Sequence, residues 1–295
     1  MEHDLTGRVA VVIGGGQSAG DGIGNGRGIC MNLARHGATV VAVARHQDRA
    51  QKTIDIIKED CGMDGWAYAA DATDRELMKK LFADVNEKYG HIDIMVYNAG
   101  VTLRFDPQTN TATLEDVNRL FDVDMVGYVW ATLECAPYME KQEKGGSIVC
   151  ISSIASKQNG TGINIGYGLY AMSKSGMNKW SELAARYYAP KGIRVNTVVL
   201  GSVASTMGTD GIKNNEGTGM TDEMAKTIHD MSVPLKGGRQ STWETSNAVV
   251  FLVSDEAKFV TGLEFVLDGG ATINRGPDPD LLQMRIAKLM SEKKS

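Results

Sequence analysis

The sequence predicts an α/β protein: one doubly wound parallel sheet with helices on both faces. Three observations predict it. Short apolar runs of strand length alternate along the chain with amphipathic stretches of helix period. The first run is followed by a glycine-rich stretch and a helix pattern, the order of a βαβ nucleotide unit. With 295 residues, 42% of them apolar, the chain can bury one sizeable core or two small ones.

The elements follow in order. Val9–Ile13 is a continuous apolar run, as a strand buried on both faces requires. After the glycine stretch, Ile29, Leu33 and Ala34 mark a helix that Gly37 stops. Residues 39–43 form a second buried strand and 47–58 a helix. Residues 65–70 are strand-like, 74–89 helical and 92–97 a strand. Residues 114–140 read as one long helix, with Val117, Leu120, Phe121, Met125 and Val129 on one face. Residues 147–152 form a strand, 170–188 a helix, 194–200 a strand, 243–252 a helix, and Glu264–Leu267 the last strand. Seven strands alternating with six helices make a single Rossmann-type domain over residues 1–274, with a long loop over about 202–234. Residues 275–295 read as a proline-led turn and a charged helical tail.

Composition excludes several classes. Net charge is −5, so nothing draws the whole chain to nucleic acid or to an anionic membrane. Cys30, Cys61, Cys135 and Cys150 stand singly, and the five histidines include no H-E-x-x-H, so no metal is expected. The start is polar and acidic and leads into a strand within ten residues, which is no signal peptide. No apolar run approaches the length of a membrane span. A cytoplasmic protein with reduced thiols is expected. The sequon at Asn159 reads as a turn.

The glycine stretch carries the first chemistry. A helix N-terminus offers free N–H groups to a pyrophosphate, and glycines let the backbone come close. A competing motif lies inside it: Gly16-Gln17-Ser18-Ala19-Gly20 has the G-x-S-x-G form of a hydrolase nucleophile elbow. An elbow takes its oxyanion loop from an earlier strand, and no strand precedes this one. A serine hydrolase using Ser18 is therefore the remote alternative.

Further blocks fall in a telling order. They are Leu5 to Ala10, Asp71-Ala72-Thr73-Asp74, Asn98-Ala99-Gly100, Gly146 to Ser153, Tyr170-Ala171-Met172-Ser173-Lys174, Gly192 to Asn196 and Val266 to Gly270. Together they resemble the short-chain dehydrogenase/reductase family, in its Tyr-x-x-x-Lys subgroup that includes 3-oxoacyl-carrier-protein reductases and hydroxysteroid dehydrogenases. The resemblance covers Leu5 to Ala271. It implies that Asp71 and Ala72 contact the adenine and that Asn98, Ala99 and Gly100 end the fourth strand at the cofactor. It also implies that Lys174 binds the nicotinamide ribose, that Val203 and Ser205 touch the carboxamide, and that the long loop over about 202–234 is a substrate lid.

The Tyr170/Lys174 pair makes chemical sense by itself. Residues four apart on a helix share a face. A free tyrosine titrates near about 10, and an adjacent ammonium favours its phenolate. Lys174 would then tune Tyr170 as an acid/base, and Ser153 would hydrogen-bond the substrate oxygen where charge develops. Tyr187 and Lys191 share the spacing, but Pro190 lies between them at a helix end, and that pair reads as structural. Ser152 is the weaker serine, because neighbours on a strand point to opposite sides.

The chain also departs from the family pattern. Ile13 replaces its threonine. Counting back from Gly37, the glycines that follow Gly14 are Gly24 and Gly26, which implies six inserted residues. Tyr97 replaces the first asparagine of Asn-Asn-Ala-Gly, and Leu200 the proline of Pro-Gly. Asp124 replaces the helix asparagine of the catalytic tetrad; its carboxylate is expected to reach Lys174 through water and support the proton relay. Ser153 and Tyr170 are 17 apart, and the extra residues, 159–168, should alter the pocket rim.

At the end of the second strand the usual acidic position is Ala44, followed by Arg45. An acid there would bind the ribose 2′-hydroxyl, whereas an arginine accommodates a 2′-phosphate, so NADP(H) is favoured over the alternative NAD(H). Asp48 weakens the case, and Arg45 could be a solvated loop residue. Met207, Met220, Met224 and Met231 form an adaptable apolar lid or ordinary packing. The expected function is hydride transfer between NADP(H) and a secondary alcohol or ketone, bulky or cyclic ones included. The alternative of a second class is a catalytically silent nucleotide-binding regulator. Apolar faces on 114–140 and 170–188 suggest a homo-oligomer, with a tetramer favoured. Half of the 34 glycines fall in three segments: eight in 14–28, four in 160–168 and five in 201–219. All three surround the expected active site.

Overall fold

The computed structural model of the chain describes residues 3–17, 22–102, 112–157, 165–204, 233–236 and 238–274. Seven strands form one sheet in the order β3-β2-β1-β4-β5-β6-β7, every neighbouring pair parallel. The strands are β1 (Val9–Ile13), β2 (Thr39–Ala44), β3 (Gly65–Ala69), β4 (Ile94–Tyr97), β5 (Gly146–Ser153), β6 (Ile193–Leu200) and β7 (Glu264–Leu267). β1 and β4 are buried along their whole length, which is why their sequences read as unbroken apolar runs. The chain winds outward from β1 to β3, then returns to place β4 on the other side of β1. That reversal opens a crevice beyond the carboxyl ends of β1 and β4.

The helices are α1 (Asn25–Arg35), α2 (Gln47–Cys61), α3 (Arg75–Tyr89), α4 (Leu114–Phe121), α5 (Gly127–Met139), α6 (Ile165–Tyr188) and α7 (Thr242–Val253). Local chemistry sets their ends. The Asp74 carboxylate accepts the Leu77 N–H at the start of α3, and Gly90 ends that helix at φ 83°. Reciprocal capping boxes, Thr113 with Asp116 and Ser241 with Glu244, start α4 and α7. One core packs Ile29, Leu33, Ile57 and Val249 from α1, α2 and α7 on one face of the sheet. The other packs Leu81, Phe82, Tyr128 and Met177 from α3, α5 and α6 on the opposite face.

The expected α/β architecture and seven parallel strands are as the sequence predicts. One element differs. The single helix expected over residues 114–140 is broken by a π turn, Asp122–Val126, in which the Gly127 N–H bonds back to the Asp122 carbonyl. Periodicity could not reveal this, because a π turn only inserts a residue into a pattern that stays apolar on one side. α6 also starts upstream of Tyr170, so the tyrosine lies inside the helix. Among the described residues, no helix is long and apolar enough to cross a membrane.

Candidate active site

The glycine corner is built by close approach. Gly14 leaves β1 at φ 86°, and a Cβ on it would lie 2.6 Å from the Ala99 amide nitrogen. Gly26, in the first turn of α1, is tighter: its Cβ would fall 1.9 Å from the Gly14 carbonyl oxygen and 2.6 Å from Asn98 Nδ2. The Asn98 amide donates to that carbonyl at 3.0 Å, and the Asn98 and Ala99 N–H groups bond to the Ile13 carbonyl. Gly24 is the residue preceding α1. Gly22, by contrast, has open space around it. Of the two glycines counted back from Gly37, Gly26 makes the close contact with Gly14, and Gly24 stands directly before α1.

Beside the corner, Asp71 folds an acidic turn by accepting from the Thr73 backbone and hydroxyl at 3.0 and 2.9 Å. Ala72 is buried next to it. Ala44 ends β2 and packs against Gly16, and Arg45 is exposed just beyond. Val203 lies beyond β6, bridged to Gln240. Ser18, Ser205, the four lid methionines, the 159–164 part of the extra rim and the 275–295 tail lie outside the described residues.

The second cluster is one of buried charge. Lys174 lies one turn after Tyr170 on α6, its ammonium 5.5 Å from the centre of the tyrosine ring. Lys174 is 4% exposed and Asp124 fully buried, and their charged atoms are 3.1 Å apart. The contact is direct, which corrects the expectation of a bridging water: the π turn carries the carboxylate close enough to touch. The other Asp124 oxygen accepts the Val101 N–H at 2.9 Å, and Ser173 donates to the lysine-facing one at 3.1 Å. Burial pushes the Lys174 ammonium down, but Asp124, Tyr170 and Cys150 together pull it up; the net direction is upward, so it stays charged. Burial also pushes the Cys150 thiol up to about 12, leaving it neutral. Gly100 gives this group room, since a Cβ there would sit 3.2 Å from the Lys174 ammonium.

Ser153 ends β5 half-buried, next to the crevice, and its hydroxyl accepts from Ala155 N–H at 3.2 Å. Ser152 is buried and turned toward the Lys174 carbonyl. The Tyr187/Lys191 pair is a surface cluster tied to Glu140. Sequence reasoning missed three groups. Gln17 bridges the lengthened loop, accepting the Gly24 N–H at 2.8 Å and donating to the Gly22 carbonyl at 2.9 Å. Ser173 links Asp124 to the Tyr170 carbonyl. Tyr97 bonds the π turn through its hydroxyl. Gln17 had a signal, an amide side chain at the mouth of a loop. The other two had none.

A cavity of about 240 Å³ lies elsewhere, between α6, β6 and β7, lined by Asn178, Ser181, Thr197 and Glu264 among others. Asn178 is two helical turns beyond Tyr170, roughly 12 Å along the axis, so this cavity is separate from the crevice.

Residues 18–272 match the family model described as enoyl-(acyl carrier protein) reductase. The chain is 33% identical over 272 residues to the 3-oxoacyl-[acyl-carrier-protein] reductase FabG of Thermotoga maritima, across 91% of this chain and 99% of that one. A short-chain dehydrogenase/reductase structure from Burkholderia xenovorans superposes with TM-score 0.82 at 31% identity, covering 92% of this chain and 98% of that one. A 7α-hydroxysteroid dehydrogenase complexed with NADH and 7-oxo glycochenodeoxycholic acid superposes with TM-score 0.76 at 27% identity, over 91% and 95% of the two chains. Likeness of sequence and of fold extends over almost the whole molecule, and the chain belongs to the short-chain dehydrogenase/reductase family of oxidoreductases.

Proposed function

We propose that the chain transfers a hydride between NADP(H) and a secondary alcohol or ketone, bulky or cyclic, with Tyr170 as acid/base. The observation that carries this reading is the Tyr170–Lys174–Asp124 cluster, one carboxylate-held ammonium beside a half-buried phenol. The residues fit a dinucleotide. Gly14, Gly24 and Gly26 would hold the pyrophosphate against the start of α1, a cradle that a Cβ on Gly26 would fill. Asp71 and Ala72 would flank the adenine. Asn98, Ala99, Gly100, Tyr170 and Lys174 would line the nicotinamide ribose, with Val203 and Ser205 at the carboxamide.

The preference for NADP(H) rests on the end of β2. Ala44 carries no charge, and Arg27, Arg45 and Arg49 have no carboxylate partner among the described residues. Uncompensated arginines beside the glycine corner favour an added phosphate. The steroid dehydrogenase is complexed with NADH, so it is this chain's own arginines that favour NADP(H). Its steroid ligand supports a bulky, cyclic substrate.

In the reducing direction a nicotinamide held by these residues would supply a hydride to the carbonyl carbon. Tyr170 gives its proton to the oxygen as the carbonyl becomes an alcohol. Ser153 donates a hydrogen bond to that oxygen while charge gathers on it. Lys174 holds positive charge beside the phenol, and Asp124 keeps the lysine charged and in place. The helices 114–139 and 165–188 expose Leu114, Met172, Leu183 and Tyr187, and Phe259, Leu263 and Val266 are exposed near β7. Both faces suit copies of the same chain, a homotetramer, in a cytoplasmic setting where Cys30, Cys61, Cys135 and Cys150 stay reduced.

A panel of ketones and alcohols, read by NADPH oxidation, tests the reading. Tyr170→Phe should lose roughly a hundredfold or more in kcat. A biological effect that survives Tyr170→Phe, with no turnover in the parent, would favour the silent regulator. The parent should prefer NADPH to NADH in kcat/KM, and Arg45→Ala should narrow the gap; an NADH preference sinks the cofactor assignment. Absence of labelling at Ser18 by a serine-reactive probe is expected, since the described residues place no strand before β1 from which an oxyanion loop could come.

A further inference from the structure

Tyr97 is the last residue of β4 and stands where the family pattern has an asparagine. Its side chain is fully buried, and its hydroxyl donates to the Val123 carbonyl inside the π turn. Burial holds the phenol well above its ordinary range, so it keeps its proton. Gly127, which closes the turn, leaves space for this hydroxyl: a Cβ there would lie 2.5 Å from the Tyr97 oxygen and 2.8 Å from the Ala72 carbonyl. The next residue after Val123 is Asp124, whose carboxylate reaches Lys174.

A π turn is rare and short because its geometry is poorer than that of an α-helix. Here it is pinned from both sides. The Tyr97 hydroxyl holds one carbonyl of the turn, and the Val101 N–H holds the Asp124 side chain that the turn presents. Without the extra residue Asp124 would rotate by about 100° around the helix, the angle one residue subtends at 3.6 residues per turn.

We propose that Tyr97 is a positioning residue: by tying the Val123 carbonyl it fixes the π turn and so seats the Asp124 carboxylate on Lys174. This rests on the role of Lys174 proposed above. The groups facing the pair are Tyr170 and Ser173 from α6, Cys150 from β5 and the Val101 amide after β4. Asp124 is the carboxylate in contact with the Lys174 ammonium. Removing the Tyr97 hydroxyl therefore changes the charge around the lysine without touching it.

Tyr97→Phe removes one oxygen and keeps the ring; Asp124→Asn removes the charge and keeps the shape. Tyr97→Phe should lower kcat about tenfold, while KM moves less than about twofold. The alkaline limb of its pH–rate profile should shift to lower pH, because a lysine parted from its carboxylate is left with burial, which lowers its affinity for a proton. Asp124→Asn should show the same shift, and the double variant should be no worse than the worse single one. Gly127→Ala, which crowds the hydroxyl from the other side, should repeat the shift if Tyr97→Phe does not fold. A crystal structure of either variant should show the π turn rearranged and the Asp124–Lys174 separation wider than 3.1 Å. An unchanged turn and separation with an unchanged profile, or effects that multiply in the double variant, overturns the proposal. If the parent turns over nothing on the panel, the proposed function fails, and the crystal structure alone decides the role of Tyr97.

Discussion

The two halves of the crevice are made by opposite means. At the glycine corner atoms are left out: Gly14 and Gly26 touch through backbone, with no room for a methyl group. At the chemical end charge is put in: a lysine and an aspartate are buried face to face. Omission needs only two glycines at the right spacing. Inserted charge needs three elements brought into register, the lysine from α6, the carboxylate from the π turn and the amide of Val101 after β4. The first corner is robust to what surrounds it, and the second depends on its neighbours.

The contrast can be broken most forcefully at Gly26. Gly26→Ala puts a carbon 1.9 Å from the Gly14 oxygen and should abolish NADPH binding or folding, whereas Gly22→Ala meets open space. The second change should cost about 1 kcal/mol for its positive φ and leave affinity within about threefold. Thermal melts and NADPH fluorescence titrations measure both, and equal effects at the two sites would show that close approach does not define the corner.

Lys174→Met is expected to come next. It leaves Asp124 buried and unpaired and should cost about 3 kcal/mol in urea unfolding. Combining it with Asp124→Asn should recover part of that loss. If the double variant were as unstable as Lys174→Met alone, the two charges would be independent, and the dependence on neighbours claimed for this end would fail.

The smallest effect is expected at Gln17. Gln17→Ala removes the bridge to Gly22 and Gly24 and should cost about 1 kcal/mol, as the loss of a helix cap does. Cofactor affinity should fall only a few-fold. A loss as large as that of Gly26→Ala would mean that side chains, and not backbone contact, hold the glycine corner.

What could be read from the sequence follows the same division. The strands were legible because burial on both faces leaves continuous apolar runs such as Val9–Ile13. Gly24 and Gly26 were legible by counting from Gly37, because helix length fixes the distance between the two ends. Tyr170 and Lys174 were legible because a helix of regular period puts them on one face. The π turn was not, since its cause, a hydroxyl on β4, is 26 residues from the carbonyl it holds. The direct Asp124–Lys174 contact was hidden for the same reason, because the turn that presents the carboxylate is held from β4.

The Gln17 bridge has a consequence for how such a chain can grow. Closing a loop costs entropy that rises only with the logarithm of its length, about 0.6 kcal/mol for each doubling. Gln17 fixes the ends of its own loop by bonds to Gly22 and Gly24, so the Gly14–Gly26 contact does not feel the length between them. The segment between Gln17 and Gly22 is therefore a place where insertions of different length and composition are thermodynamically cheap. Duplication or trimming there would leave the sheet, the glycine corner and the buried charges as they are.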